Sequence, residues 1–260
     1  MGTSGWRYKA WRSDFYPKGL VQRRELEHLA TRLNSVEING SFYSLQKPES
    51  YDTWREQVPH GFRFAVKGGR YITHMVGPDK LQAGLDRFFD SGVTRLGDRL
   101  GPILWQFPSR RRFDPEHLEN FCAALPRTHD GHRLQHALEP RHESFRDPQA
   151  LEILHRHRIA LVASDGAGEF PLFLDNNGAL DNDADGADAS AGLVYVRLHG
   201  PHELYHGGYS PAQLHQWASV IRELATTGTR TPRDVYVYFD NDADGRAPFD
   251  ALALTDTLTG

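Results

Sequence analysis

Several short apolar stretches of this 260-residue chain end in a polar or charged residue, and four of those residues could do chemistry. They are Glu139, Asp165, His199 and Asp240. Carboxyl and imidazole groups transfer protons near neutral pH, and the same groups can hold a divalent cation such as Mn²⁺, Mg²⁺ or Zn²⁺. We expect Glu139 and His199 to act as acid and base. Asp165 and Asp240 would orient them or, together with them, bind a metal.

A second group of residues would bind the substrate. Lys67, Arg141 and Arg197 could hold an anionic group. Arg70 follows Gly68-Gly69, where free backbone N–H groups would suit a phosphate or carboxylate. Aromatic and amide side chains near the strand ends complete the group: Trp6, Tyr8, Asn39, Gln106, Tyr209 and Asn241. The predicted substrate is a small anionic molecule, phosphorylated or sugar-like.

A charge count keeps other interpretations open, because four carboxylates near the strand ends are almost balanced by three cations. These are Glu37, Glu139, Asp165 and Asp240 against Lys67, Arg141 and Arg197. Such balance is also expected of a structural ion-pair network, since a buried charge without a partner is costly. Metal-free catalysis, metal-assisted catalysis, a non-catalytic ligand site and a structural network all remain open. An enzyme would be isomerase- or epimerase-like, or a hydrolase.

Short strands with a period-two pattern would position these residues. Val194, Val196 and Leu198, for example, alternate with Arg197 and His199. If the apolar face packs on helices, the polar face points into a shared interior and the last residues meet at one rim. The predicted strands lie at residues 2–5, 36–39, 64–67, 103–106, 137–139, 161–165, 194–199 and 235–240.

Helices are predicted between the strands. Asp114-Pro115, Asp147-Pro148 and Ser210-Pro211 each place a capping side chain before a proline, which suits the first turn of a helix. Strand and helix alternating eight times predicts a single-domain α/β protein, a (β/α)8 TIM-type barrel, in which chemistry lies at the carboxyl-terminal rim. The alternative is a doubly wound open sheet, which seldom carries charges on one inner face of so many strands.

Composition limits location and partners. The formal net charge is −4, so no global basic field attracts nucleic acid. Cys122 is the only cysteine, which excludes an intramolecular disulfide. Met1 leads into the first strand without a basic and apolar leader, and no apolar run approaches membrane-spanning length. We therefore expect a cytoplasmic protein without a membrane partner.

Residues 175–191 are rich in Asp, Asn, Ala and Gly and show no periodic pattern. This composition predicts a flexible acidic insertion.

Aromatic side chains alternate with cations in residues 6–12, and more aromatics occur in other rim loops. This pattern favours flat or sugar-like ligands and is also typical of proteins that stack the bases of single-stranded or flipped nucleic acid. Nucleic-acid binding or processing is therefore an alternative function. We expect Trp6 and Tyr8 to contact a ligand, and Trp11, Phe15 and Tyr16 to form a hydrophobic cap over the barrel mouth.

The motifs placed so far resemble those of the YecE-like family, domain of unknown function 72. The matching pieces are Gly2-Thr3-Ser4-Gly5-Trp6-Arg7-Tyr8, Phe15-Tyr16-Pro17, Val36-Glu37-Ile38-Asn39, Ser41-Phe42-Tyr43, Phe64-Ala65-Val66-Lys67, Ile72-Thr73-His74, Ile103-Leu104-Trp105-Gln106-Phe107-Pro108, Tyr195-Val196-Arg197-Leu198-His199-Gly200 and Tyr238-Phe239-Asp240-Asn241-Asp242. The resemblance implies a TIM-type barrel. It implies no established reaction and supplies no catalytic residues.

Overall fold

The computed structural model describes residues 1–12, 14–75, 77–174, 192–227 and 231–260. Its barrel strands are β1 (Gly2–Ser4), β2 (Ser35–Ile38), β3 (Arg63–Lys67), β4 (Leu100–Gln106), β7 (His136–Glu139), β8 (Ile159–Asp165), β9 (Leu193–Leu198) and β10 (Asp234–Phe239). Two short strands, β5 (Thr128–His129) and β6 (His132–Arg133), form an antiparallel hairpin outside the barrel. The insertion predicted at 175–191 lies outside the described residues.

The barrel strands are all parallel, and the sheet closes where β1 pairs with both β2 and β10. Each predicted strand overlaps one of these eight, so the (β/α)8 prediction is confirmed. Closure of the sheet excludes the doubly wound alternative. In strand order β3 lies across the barrel from β9, so side chains on the inward faces of these two strands point towards each other.

Helices follow the strands around the outside. They are α1 (Glu25–Ala30), α2 (Gly40–Tyr43), α3 (Pro48–Glu56), α4 (Pro78–Asp90), α5 (Pro115–Ala124), α6 (Pro148–Arg156), α7 (Pro211–Thr226) and α8 (Ala247–Thr259). Across the described ranges, none of the helices combines the length and the apolar character needed to cross a bilayer.

The predicted helix starts are confirmed. The Asp114 carboxylate accepts a hydrogen bond from the backbone N–H of His117 at 2.7 Å. Ser210 and Gln213 form a reciprocal capping box, and Asp147 caps α6. Each of these side chains satisfies a backbone donor that the first turn leaves without a partner.

Alternation along the strands separates two packing layers, as predicted. Outward-facing side chains pack beneath the helices; they include Val36, Ile38, Phe64, Val66, Val194, Val196, Leu198, Val237 and Phe239. Inward-facing side chains fill one half of the barrel with a second apolar cluster: Ala65, Leu104, Ala137, Ala160, Val162, Leu193, Tyr195, Tyr236 and Tyr238. The same inward faces carry polar and charged residues in the carboxyl-terminal half, where the strands end.

Candidate functional site

Arg197, on β9, lies at the centre of the polar half of the barrel and is fully buried. Its Nη2 and Nε donate to the two oxygens of Glu37 at 2.9 and 3.1 Å. Nη1 donates to Glu139 Oε2 at 2.9 Å, and Nη2 donates to Asp240 Oδ2 at 3.0 Å. Burial opposes ionisation of Glu37, but Arg197 outweighs it and lowers the pKa of Glu37. Three carboxylates from separate strands thus converge on one guanidinium.

Glu139, at the end of β7, is held by two guanidinium groups. In addition to the bond from Arg197, its Oε1 accepts from Arg141 Nε at 2.8 Å. Burial would raise the pKa of Glu139, but Arg141 and Arg197 together hold it far below its usual range. Glu139 is therefore ionised at neutral pH and has little tendency to take up a proton. The Arg141 guanidinium lies 4.2 Å above the Phe170 ring.

His199 directly follows β9 and is neutral. Its Nε2 lies 2.8 Å from Arg197 Nη1 and 3.3 Å from Arg141 Nη2, and because a guanidinium can only donate, Nε2 accepts. Nδ1 then carries the proton and donates to the Asp165 carbonyl oxygen at 3.1 Å. Burial and Arg197 lower the pKa of His199 well below its usual value. The lone pair that a general base needs already accepts from two arginines.

Two aspartates after β10 keep their protons to a higher pH than an ordinary aspartate does. Burial raises the pKa of Asp240 to about 6 in spite of Arg197. Asp242 is also buried, and burial and the charge of Asp240 raise its pKa well above the usual value. Neither Asp242 oxygen has a hydrogen-bond partner among the described residues, since the neighbouring Tyr8 hydroxyl donates to the Ser4 carbonyl oxygen. Asp240 is 15% exposed and so reaches the mouth of the barrel.

Lys67 ends β3, across the barrel from Arg197, and its side chain is buried. The ion pairs of this cluster join its carboxylates to Arg197 and Arg141 rather than to Lys67. The ammonium lies 4.5 Å from the centre of the Phe42 ring. Burial, assisted by the positive charge of Arg197, lowers the pKa of Lys67 to about 8. The amine therefore loses its proton more easily than an ordinary lysine.

A cationic region adjoins Lys67 on the rim after β3 and β4. His74 lies there in a wide π-helical turn, Tyr71–Met75. Burial lowers the pKa of His74 to about 4, and the largest charge effects on it come from cations: Arg110, Lys67, Arg111 and Arg141. Arg110 also donates to the His74 carbonyl oxygen at 3.1 Å. This side of the mouth is therefore suited to an anion.

The predicted position of Asp165 was wrong. Ser164 takes the inward place on β8 and donates to Glu139 Oε1 at 3.2 Å. Asp165 points outward, where its Oδ2 accepts from the Tyr209 hydroxyl at 3.1 Å. Asp165 and Tyr209 line a separate cavity beside α7 together with Trp217. Both faces of β8 are apolar up to residue 163, so the period-two pattern did not show which face is inward.

Two more predicted substrate contacts do not reach the cavity. Trp6 is buried in the layer beneath the helices, where it packs edge-on against Trp54 with ring centres 5.4 Å apart. Asn241 is fully buried and donates to the Gly207 carbonyl oxygen at 2.8 Å and to Asp250 at 2.7 Å, which fastens the loop to α8. Three further aromatic residues are buried in the same layer and form a hydrophobic cluster: Trp11, Phe15 and Tyr16. Their position as a cap over the barrel mouth stays a prediction.

The remaining predicted contacts lie at the mouth. Asn39 donates to Ser4 Oγ at 3.0 Å, and its Oδ1 is buried without a hydrogen-bond partner among the described residues. Gln106 lies buried on the inward face of β4, and Arg70 is exposed on the rim. The backbone N–H of Gly68, predicted to be free for a phosphate, donates instead to the Leu104 carbonyl oxygen at 2.8 Å.

The metal interpretation does not fit this geometry. Asp165 points away, while Glu139, Asp240 and His199 all accept hydrogen bonds from Arg197. Within the ranges that the structure describes, no three His, Cys, Asp or Glu side chains are arranged to hold an ion. The central positive charge of the cluster is supplied by the guanidinium.

Some residues of the site were not predicted as part of it. Ser4 donates to Glu37 at 2.5 Å and Ser164 to Glu139, so both help to fix the carboxylates. Their strands offer no clear polar alternation in sequence. His74 lies in the π-helical turn after β3 and Asp242 in the turn after β10, where no alternation along the chain shows which way a side chain points. The only sequence signal for Asp242 is that it lies two residues after Asp240, the polar residue that follows β10.

A closed parallel barrel with its polar residues at the carboxyl ends of the strands defines a TIM-type (β/α)8 protein with a candidate site in the usual place for such enzymes. The family model described as "Protein of unknown function DUF72" matches residues 1–260, and the chain belongs to this family. The family expected from the sequence motifs is thus confirmed.

Relatives span the chain to different extents. The UPF0759 protein YunF of Bacillus subtilis (strain 168) is 25% identical over 289 residues, which cover 99% of this chain and 94% of that protein. The UPF0759 protein YecE of Escherichia coli (strain K12) is 31% identical over 123 residues, which cover 46% of this chain and 42% of YecE.

Two crystal structures of DUF72 family proteins have the same fold. The one from Thermotoga maritima has a TM-score of 0.75 and 24% identity, with 100% of this chain and 98% of that chain covered. The one from Enterococcus faecalis V583 at 3.10 Å resolution has a TM-score of 0.78 and 18% identity, with 100% and 94% covered.

Proposed function

We propose that the protein is an enzyme whose active site is the mouth of the barrel, where Asp240 and Lys67 transfer protons on a small anionic, sugar-like substrate. One observation carries the proposal: Lys67 and Asp240 lie largely buried at the same end of the barrel, where burial raises the pKa of Asp240 to about 6 and lowers that of Lys67 to about 8. Two groups that titrate on either side of pH 7 can give and take protons under the same conditions.

The other members of the cluster support this division of roles. Glu139 is ionised and held by two arginines, and His199 uses its lone pair to accept from the same arginines. Both therefore suit the task of positioning Arg197 and Arg141. The acid/base roles that the sequence suggested for Glu139 and His199 pass in this proposal to Asp240 and Lys67.

The nature of the substrate follows from the charges on the two sides of the mouth. Arg110 and Arg141 lie on the side where cations dominate the environment of His74. A phosphate or carboxylate would pair with guanidinium groups there. On the other side, Tyr8 and Asn39 present polar groups without charge, which suit the hydroxyl groups of a sugar.

Hydrogen–deuterium exchange at carbon tests the proposal without knowledge of the complete reaction. The protein is incubated in D2O near neutral pH with ribulose 5-phosphate, fructose 6-phosphate and dihydroxyacetone phosphate, and proton NMR follows the hydrogens next to each carbonyl. We expect exchange in at least one compound, slowed about 100-fold or more by Asp240→Asn, because a positioned acid or base contributes roughly 10²- to 10⁴-fold.

Asp165→Asn is the matched control, since it makes the same chemical change on the outer face of β8, which is separated from β10 by β9. It should leave exchange unchanged. Absence of exchange in all three compounds, or equal rates in the wild type and Asp240→Asn, would contradict the proposal.

Binding of single-stranded nucleic acid is the second candidate, favoured by exposed aromatic rings beside a cation. Tyr43 is 69% exposed and Tyr71 42% exposed, and the Arg70 guanidinium lies 6.0 Å from the Tyr43 ring. Bases stack on such rings while arginines pair with phosphates. A fluorescent oligothymidylate titrated at about 50 and about 200 mM salt should bind far more weakly at the higher concentration. Equal affinities, or affinities that Tyr43→Ala does not change, would remove this candidate.

A further inference from the structure

Lys67 differs from the other lysines of the chain. The sequence contains five: Lys9, Lys18, Lys47, Lys67 and Lys80. Lys67 is buried, whereas the other four are exposed. Because an ammonium group is strongly hydrated, burial is costly unless the charge is paired or the group gives up its proton.

The surroundings of Lys67 favour the second outcome. The carboxylates of the cavity are bound to Arg197 and Arg141, and the positive charge of Arg197 acts on Lys67 from across the barrel. With a pKa of about 8, roughly one Lys67 in ten carries a free amine at pH 7, compared with about one in 3000 for a lysine with the ordinary value of 10.5.

We propose that Lys67 is a nucleophile that forms a Schiff base with the carbonyl carbon of the substrate. The inference rests on the proposed function and deepens it, because it narrows the substrate to an anionic, sugar-like molecule with an aldehyde or ketone group. Burial and a neighbouring cation are the conditions under which lysine amines act as nucleophiles.

Formation of the Schiff base needs only the Lys67 amine, the Asp240 carboxylate and water. The free Lys67 amine attacks the carbonyl carbon, a C–N bond forms, and the carbonyl electron pair moves to oxygen, which takes up a proton supplied by the solvent. The nitrogen of this carbinolamine passes a proton through water to the Asp240 carboxylate. Asp240 then returns it to the hydroxyl group, which leaves as water while the C=N bond forms. In the net reaction, the amine, the carbonyl compound and one proton are converted to a cationic iminium and one molecule of water.

The charge of the iminium suits the cavity. It carries the same single positive charge as the protonated Lys67 ammonium, so Glu37, Glu139 and Asp240 meet the same balance of cations before and after the step. The Phe42 ring, whose centre lies 4.5 Å from the ammonium nitrogen, faces the same position. An aromatic face attracts a cation, so the ring would stabilise the iminium as well.

The first test uses the smallest carbonyl probe, so its result does not depend on the shape of the natural substrate. The protein is treated at pH 7 with limiting formaldehyde and sodium cyanoborohydride, which reduces the iminium to a stable methylamine, and peptide mass spectrometry follows each lysine. The four exposed lysines are internal controls in the same molecule. We expect Lys67 to be labelled at least about 10-fold faster than they are. Labelling no faster than at the exposed lysines would overturn the inference.

The second test asks for the substrate class. Dihydroxyacetone phosphate with sodium borohydride should leave one reduced adduct on the wild-type protein, located at Lys67, and excess inorganic phosphate should suppress it. Neither Lys67→Arg, which keeps the positive charge, nor Lys67→Met should form the adduct. Lys80→Arg is the matched control and should form the adduct as the wild type does. Adducts spread over the exposed lysines, or an adduct retained by both Lys67 variants, would refute the assignment.

The outcomes separate this inference from the proposed function. Carbon-bound hydrogen exchange that depends on Asp240, with Lys67 labelled no faster than the other lysines, would leave the proposed function standing with Lys67 as an acid only. Fast and specific labelling of Lys67 without any such exchange would leave Lys67 as a reactive amine but would overturn the proposed function and, with it, the substrate class inferred for Lys67.

Discussion

Arg197→Met removes the cation that three carboxylates share. In the wild type the guanidinium bonds to Glu37, Glu139 and Asp240 at distances from 2.9 to 3.1 Å. Removing one partner of a buried ion pair typically costs about 3–5 kcal/mol, because the remaining charge stays buried without compensation. For a chain of this size 1 kcal/mol corresponds to roughly 2–4 °C in Tm, so we expect Tm to fall by about 6–20 °C.

The assay is thermal unfolding followed by circular dichroism between pH 4 and pH 8. Arg156→Met is the control, because its ion pair with Glu119 at 2.8 Å joins side chains that are 59% and 37% exposed. An exposed pair of this kind contributes about 0–1 kcal/mol.

The effect of pH has a definite sign. In the wild type the pKa values of Glu37 and Glu139 are lowered, so their contribution to stability is present above the unfolded-state value near 4.3 and is lost as pH falls below it. In Arg197→Met, Glu139 keeps its bond to Arg141 but Glu37 is buried without the Arg197 cation, so the pKa of Glu37 rises and stability falls as pH rises. The deficit of the variant must therefore grow from about pH 4 to pH 8. A loss no larger than that of Arg156→Met, or a deficit independent of pH, would refute this reasoning.

Two further predictions concern the room for a side chain at Gly68 and Gly69 and the effect of Asp240 ionisation on stability. A Cβ on Gly68 would meet the Trp105 ring at 2.2 Å, whereas on Gly69 the nearest atom, the Ser41 carbonyl oxygen, is 3.6 Å away. In urea unfolding, Gly68→Ala should lose about 1–3 kcal/mol and Gly69→Ala should be nearly neutral; equal losses would contradict this. Burial raises the pKa of Asp240 to about 6 in the folded state, so its contribution to stability falls as pH rises from about 4 to about 6. Asp240→Asn removes that loss, which is about 3 kcal/mol for a pKa raised from 3.8 to about 6, and should raise Tm at pH 7 by roughly 6–12 °C; an unchanged or lower Tm would show that Asp240 is not destabilised by burial.

The barrel could be predicted because its signals are local and agree with one another. Val194, Val196 and Leu198 alternate with polar residues on β9, and proline and capping residues indicate where α5, α6 and α7 begin. When parallel strands are joined by helices, the rules for such connections allow only a few topologies of the sheet. The weak point was β8, which is apolar on both faces. There the charged last residue, Asp165, was assigned to the interior, although the inward place belongs to Ser164.

The membership of the site was easier to predict than the role of each residue. Strand ends identify which side chains share a rim, and Lys67, Glu139, Arg197 and Asp240 do converge there. The pairing of hydrogen-bond donors with acceptors depends on side-chain geometry, which the alternation of residues along a strand does not reveal. Glu139 was expected to exchange protons because it is a carboxylate at the rim. Two arginines hold it ionised, and that pairing became visible only in three dimensions.

The same geometry separates two roles that the sequence suggested for Lys67. An anion bound directly to the ammonium would stabilise its charged form and raise its pKa, because opposite charges favour ionisation of both. Lys67 could then anchor a substrate but could not supply a free amine. An anion held instead by Arg110 and Arg141 is neutralised by guanidinium groups, which stay protonated, and the Lys67 amine remains available. Anchor and nucleophile are therefore exclusive roles. The cations around His74 are what allow Lys67 to be the nucleophile.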